Sequence, residues 1–259
     1  MMKKFVVWLI LICLLLSGCA ADDLPNENRQ RKTVPTEITE TTEPETTETT
    51  LPPHSPLYIE GLSVEDVICY FNEVCLDAEF VNNGDATVVQ KWTVPIYYYL
   101  NGGLTRDDYV VLTDFLLLLN DIEGFPGIYI ARDLGQANMN IYFCDREQLL
   151  NIMGDNYAGL DGAVTFWYEN DEIYNANVCI RTDLEQTVRN SVILEEIYNG
   201  LGPVQDTSLR EDSIIYAGYS EPQELTDIDL LILQLLYHPD IKCGMNASAC
   251  EEVIRSLYY

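Results

Sequence analysis

Histidine is nearly missing from this chain. His54 and His238 are the two among 259 residues, so no metal site built on three imidazoles can form within it. Basic side chains are scarce as well: 14 Lys and Arg stand against 42 Asp and Glu, a formal net charge of −28. Nucleic acid is thereby excluded as a partner, because phosphate binding needs a basic stripe to displace counterions. Docking on anionic lipid headgroups is disfavoured on the same ground. The eight cysteines include no C-x-x-C pair, which argues against thiol-exchange motifs and thiolate zinc sites. Beyond residue 18 no apolar run approaches the ~20 residues of a membrane-crossing helix.

What is present begins at the N-terminus. Lys3 and Lys4 precede the apolar run Phe5–Leu16, which is too short to span a bilayer and reads as a signal-peptide core. Leu16-Ser17-Gly18-Cys19 resembles the lipobox of bacterial lipoprotein precursors. The resemblance implies removal of residues 1–18 and a thioether-linked diacylglycerol on Cys19. It also implies a domain outside the cytoplasm, anchored to a bacterial membrane through the acylated Cys19. Each buried methylene of such an anchor contributes about 0.8 kcal/mol. Residues 19–56, which include TVPTEITETTEPETTETTLPPHSP, hold almost nothing to bury. They are expected to form a disordered Thr/Glu/Pro tether.

Residues 57–259 have the length of one domain. They carry 9 bases and 34 acids, a net of −25. That field attracts a cation, a cationic peptide or a basic partner, and it also confers solubility. With Cys13 removed and Cys19 lipidated, six cysteines remain: 69, 75, 144, 179, 243 and 250. An even number outside the cytoplasm permits disulfides, and six buried thiols are equally allowed. Cys69 and Cys75 fall on one expected helix, about 9 Å apart along its axis, too far to bridge each other.

Pattern and punctuation give an element order. Ser63-Val64-Glu65-Asp66 opens a helix to about Phe80 with a capping box, and Thr105-Arg106-Asp107-Asp108 opens a second. Strands are expected over 88–100, 127–133 and 137–144, followed by the short helix REQLLNIM. Residues 162–170 and 172–183 read as a strand pair with a tight turn, and Leu184–Leu201 as a long helix. Thr226-Asp227-Ile228-Asp229 caps a helix ending before Pro239, and Ala247–Tyr258 is the last. This is a mixed α/β chain: a mixed sheet, a long helix packed against it and helices toward the C-terminus. Trp92, Tyr97-Tyr98-Tyr99 and Trp167 offer a peptide or glycan groove, although strand alternation assigns about half of them to the core. Lys91 reads as the exposed neighbour of a core tryptophan, and Arg189 as a solvated face or a partner for nearby acids.

The same order resembles that of zincin metalloproteases of the matrixin type. Glu195-Glu196-Ile197-Tyr198-Asn199-Gly200-Leu201-Gly202 takes the place of H-E-x-x-H-x-x-G. Ser213-Ile214-Ile215-Tyr216 resembles the Met-turn, with Ile215 for methionine, and Leu225 to Tyr237 resembles the closing helix. A closer resemblance is to bacterial domains of unknown function with E-E-x-x-Q-x-L-G, then N-D-S, L-T-x-L-D and L-Y-D-P. Here Gln205-Asp206, Leu225-Thr226-Asp227-Ile228-Asp229 and Leu236-Tyr237-His238-Pro239 follow that pattern. The resemblance implies a zincin-like fold: a mixed, mostly parallel five-stranded sheet with a long helix packed on it and a helical C-terminal part. In it the strands carrying Cys144 and Cys179 are parallel neighbours, so these two thiols are the favoured pair.

On a helix, residues 195 and 199 share a face, and in a zincin they hold zinc while the residue at 196 polarises water. Catalytic zinc usually needs three protein ligands, no histidine reaches the motif, and Asn199 and Gln205 are poor zinc donors, so no zinc cofactor is expected. Glu195, Glu196, Asn199, Gln205 and Asp206 are read first as a buried hydrogen-bonded cluster, with Gly202 ending the helix. Second, they are oxygen ligands for a calcium-like cation. Third, the two glutamates are an acid and a base. The function expected from the whole is binding of a protein, peptide or envelope component by a degenerate protease-like domain. The alternative is a hydrolase with Glu196 as general base.

Overall fold

The computed structural model describes residues 55–76, 87–218 and 222–259. The expected signal peptide, Cys19 and the tether up to residue 54 lie outside the described residues, as does the end of the first expected helix. The element order is α1 (Val64–Leu76), β1 (Lys91–Trp92), β2 (Ile96–Gly102), α2 (Arg106–Leu119), β3 (Ile128–Ile130), β4 (Met139–Cys144) and α3 (Arg146–Met153). It continues with a 3₁₀ turn (Asp155–Tyr157), β5 (Gly162–Glu169), β6 (Glu172–Arg181), α4 (Gln186–Asn199), α5 (Asp227–Tyr237) and α6 (Ala247–Leu257).

The helices start where side-chain caps replace missing intrahelical partners. Ser63 and Asp66 close a reciprocal capping box on α1, as do Thr105 and Asp108 on α2 and Asp145 and Gln148 on α3. The strand pair turns at Asn170 and Asp171, both with positive φ (53° and 64°), as a tight two-residue hairpin loop requires.

Strands β3, β2, β4 and β6 run parallel in that order, and β5 is an antiparallel edge strand against β6. The sheet has six strands rather than the five expected. The single strand anticipated over 88–100 is broken at Thr93-Val94-Pro95, since proline brings no N–H to the ladder. The detached piece, β1, pairs in parallel with the opening of β6.

Alternation decides the two faces of the sheet. Ile96 and Tyr98 of β2, Met139, Ile141 and Phe143 of β4, and Ala176, Val178 and Ile180 of β6 enter one continuous core with α1, α2, α4, α5 and α6. On the other face Cys144 and Cys179 pack with Leu149 of α3 in a separate small cluster. The aromatic residues divide as alternation requires. Trp92 and Tyr98 are core, whereas Tyr97 and Tyr99 lie on the opposite face of β2 and Trp167 is exposed.

Lys91 is not exposed. Its side chain is buried, and Nζ donates to the carbonyls of Leu236 (2.7 Å) and Ile241 (2.5 Å). Burial holds its amine down at about 8. The ammonium sits where the last carbonyls of α5 lack helical partners, which favours a cation there. Beside it, Trp92 Nε1 donates to Gly200 O (2.9 Å) and ties β1 to the end of α4.

Candidate functional site

Helix α4 is buried on most of its surface. Ile193, Leu194, Ile197 and Tyr198 enter the core, and the tyrosine hydroxyl donates to Asp229 O (3.0 Å). This leaves two adjacent glutamates, about 100° apart around the helix, to find separate surroundings.

Glu196 is 8% exposed and points at the edge strand. Its Cγ and Oε1 lie 2.6 Å from where a Cβ on Gly162 would stand. The missing side chain at Gly162 is what lets β5 close over this carboxyl group. Burial, together with the charges of Glu195 and Asp206, raises its pKa well above the usual carboxylate range. Glu195 faces a cleft of about 260 Å³ between α4 and the loops 159–161 and 206–217, with Asp161, Ser191, Asp206 and Tyr216 in its wall. Burial pushes the Glu195 carboxyl up to about 8, and the charges of Asp206 and Asp161 add to the effect. Asp161 is itself paired with Arg181 (2.8 Å) at the rim.

Neither glutamate has a hydrogen-bond or ion-pair partner among the described residues. Asn199 Oδ1 is likewise buried without a partner. The hydrogen-bonded cluster expected at Glu195, Glu196 and Asn199 is therefore corrected. These residues sit at the end of α4, where the backbone supplies unpaired carbonyls and few free N–H donors.

The motif's other members separate. Gly202 has φ +130°, and a Cβ there would meet Gln90 O at 2.6 Å, so both the turn and the close approach require glycine. The Gln205 backbone N–H bonds Val74 O (3.3 Å), and its side chain does not line the cleft. Of the expected site residues, Glu195 and Asp206 meet in the cleft, and Glu196 lies beneath the adjoining strand. Asn199, Gly202 and Gln205 are elsewhere. Among the described residues no three His, Cys, Asp or Glu side chains converge closely enough to share one metal ion.

Two buried acids outside the motif were hidden from sequence reasoning. Asp229, read only as a cap, is fully buried. It accepts from Ser213 Oγ (2.6 Å) and Ile214 N (3.1 Å) on one side. On the other it accepts from Thr226 N (3.2 Å) and Oγ1 (2.7 Å). Tyr70 of α1 donates in turn to Ser213 (2.8 Å). Burial raises the Asp229 pKa and these donors pull it back.

Asp108 is the second. Arg189 is not on a solvated face and does not reach the motif. It is 6% exposed and its Nε donates to the fully buried Asp108 (2.7 Å). Its other nitrogens donate to Thr182 O (2.6 Å) and Gln186 Oε1 (2.5 Å). Burial works against the charged form of Asp108, but donors from Thr105, Gln186 and Arg189 outweigh it and hold the carboxyl below its ordinary value. The signal available in the sequence was the N3 position of both aspartates in a capping box. Their distant partners left no local trace.

A comparison with proteins of curated function found no match. A family described as protein of unknown function, DUF2927, matches residues 65–256. That span runs from α1 to α6 and takes in the sheet, the cleft and the Asp229 network, and the chain belongs to this family.

Proposed function

We propose that the chain is a bacterial lipoprotein, anchored outside the cytoplasm by acylated Cys19, whose zincin-like domain has given up zinc chemistry and binds a cationic group of a protein or peptide partner. A mostly parallel sheet with a long helix packed on it, carrying Glu195–Gly202, supports the zincin likeness. The observation that carries the binding reading is Glu195. It faces an acidic cleft, and no donor or cation among the described residues compensates it, in a domain that itself supplies donors to Asp108 and Asp229. For Glu195 an ammonium or guanidinium group from outside provides what the fold does not, and the field of the whole domain draws it in.

Binding of a cation favours the ionised form of Glu195, so a proton leaves as the ligand enters. Affinity for a lysine oligomer therefore rises as pH climbs toward 8. Isothermal titration of the full chain in detergent micelles should show this rise, and Glu195→Gln should weaken binding at least tenfold. Absence of binding from pH 6 to 9 overturns the reading. For the anchor, Cys19→Ser should remove the lipid mass and leave an unlipidated precursor or release the domain. Unchanged membrane fractionation with no loss of lipid mass would reject acylation.

A second reading is a hydrolase. It is favoured by the position of Glu195, a carboxyl group kept protonated near neutral pH at the edge of a cleft, as a general acid must be. Glu196, the base expected from the motif, is sealed under Gly162. Turnover of peptide or glycan substrates that vanishes in Glu195→Gln would favour this reading over binding.

A further inference from the structure

Cys144 ends β4 and Cys179 lies in β6, its parallel neighbour. Tyr142 pairs with Cys179 and Cys144 with Arg181. The two cysteines are therefore diagonal neighbours on one face of the sheet. They share a small apolar cluster with Leu149. Their surroundings are unequal. Cys144 lines a cavity of about 320 Å³ with Asn101, Tyr142, Gln148 and Ile152, whereas Cys179 is fully buried behind it.

We infer that Cys144 and Cys179 form a reversible redox pair, in which Cys144 takes the oxidant through this cavity and Cys179 resolves it. The co-reactant is a small disulfide or the disulfide of a thiol oxidase. The Cys144 thiolate, its proton given to solvent, attacks one sulfur of that disulfide. A mixed disulfide forms on Cys144 and the first thiolate leaves. Cys179 then loses its proton and attacks the Cys144 sulfur, expelling the second. Two protein thiols and one disulfide become one protein disulfide and two small thiols.

The neighbouring thiol lowers the Cys144 pKa and, with burial, raises that of Cys179, which agrees with the order that the cavity gives. Diagonal neighbours start about 7–8 Å apart at Cα, against the roughly 4.4–6.8 Å of a bridge. Closure needs the Cys144 end of β4 to slip along β6 by about 1 Å, so the bond is one that a mild thiol reopens. The ring it closes holds α3, β5 and residues 159–161 of the cleft.

The physiological use of this pair rests on the domain lying outside the cytoplasm. The chemistry does not, and purified protein separates the two. The reduced full chain in detergent is treated with glutathione disulfide, blocked and digested with trypsin under non-reducing conditions. Arg146 separates the two cysteines into different peptides, which only a bridge holds together. Most molecules should yield the joined peptide, and excess reduced glutathione should undo it. Cys179→Ser should stop at glutathione on Cys144, and Cys144→Ser should leave Cys179 unmodified in the folded protein. Failure to join the peptides while circular dichroism stays native overturns the pair. Modification of Cys179 in Cys144→Ser at the wild-type rate overturns the order of attack. The exposed Cys69, changed to Ser, should alter neither result.

Discussion

Asp229 and Asp108 on one side, Glu195 and Glu196 on the other, are buried acids that the same domain treats in opposite ways. Depth does not separate them: Asp108 and Asp229 are fully buried, and Glu196 nearly so. Donor supply does. Both aspartates stand in the first turn of a helix, where free N–H groups and a capping hydroxyl are at hand and the helix dipole favours negative charge. The two glutamates stand near the end of α4, where carbonyls crowd and the dipole opposes them. Acids used to hold the fold sit at helix starts. The pair at a helix end is held in its neutral form and contributes little to the frame, which is what a site kept for something else would look like.

Breaking the supported side should have the largest effect. Arg189→Leu leaves Asp108 charged in a dry place, and urea unfolding should show a loss of roughly 3–5 kcal/mol. Asp229→Asn comes next. Its amide nitrogen can no longer accept from Thr226 or Ser213, and the loss should be roughly 1–3 kcal/mol.

The unsupported side is then sharpened by pH. Glu195 titrates near its ordinary 4.5 in the unfolded chain and near 8 in the folded one. The folded state therefore holds more protons between those values, and stability falls as pH rises through that window. From pH 6 to 7 the loss should be about 1 kcal/mol in the wild type relative to Glu195→Gln. A loss that is the same in both proteins would mean that Glu195 is ionised and compensated. The smallest effect belongs to Glu196→Gln. An amide replaces a carboxyl group that is already neutral, and stability at pH 7 should hold within about 0.5 kcal/mol. A large loss there would place Glu196 with the aspartates.

Helix starts were legible in the sequence because a capping box is written within four residues, as at Ser63–Asp66 and Thr226–Asp229. The mixed α/β class followed from the order of elements and the β5–β6 pair from its tight turn, whereas the mostly parallel sheet was implied by the zincin resemblance. Pro95 was visible, yet its power to split one strand into two was not applied. Glu195 and Asp206 line one cleft, but which glutamate faces it depends on how α4 is turned against β5. Gly162 decides that from 34 residues upstream of Glu196. Lys91 and Arg189 were misread for a related reason. Their partners are carbonyls 145 and 150 residues away and an aspartate 81 residues away, and long charged side chains look solvated until such partners are found.

The Asp229 carboxyl group also fixes where this domain is free to vary. It grips Ser213 and Ile214 with one set of bonds and Thr226 with another, so the chain between them leaves and returns at a single point. Lengthening a stretch whose ends are already pinned is cheap, about 0.6 kcal/mol for each doubling. Tyr216 and Ala217 lie in that stretch and form one wall of the cleft. Insertions and substitutions there can reshape the cleft while α4, α5 and the sheet stay where they are, so this wall is where the domain can change at least cost to its frame.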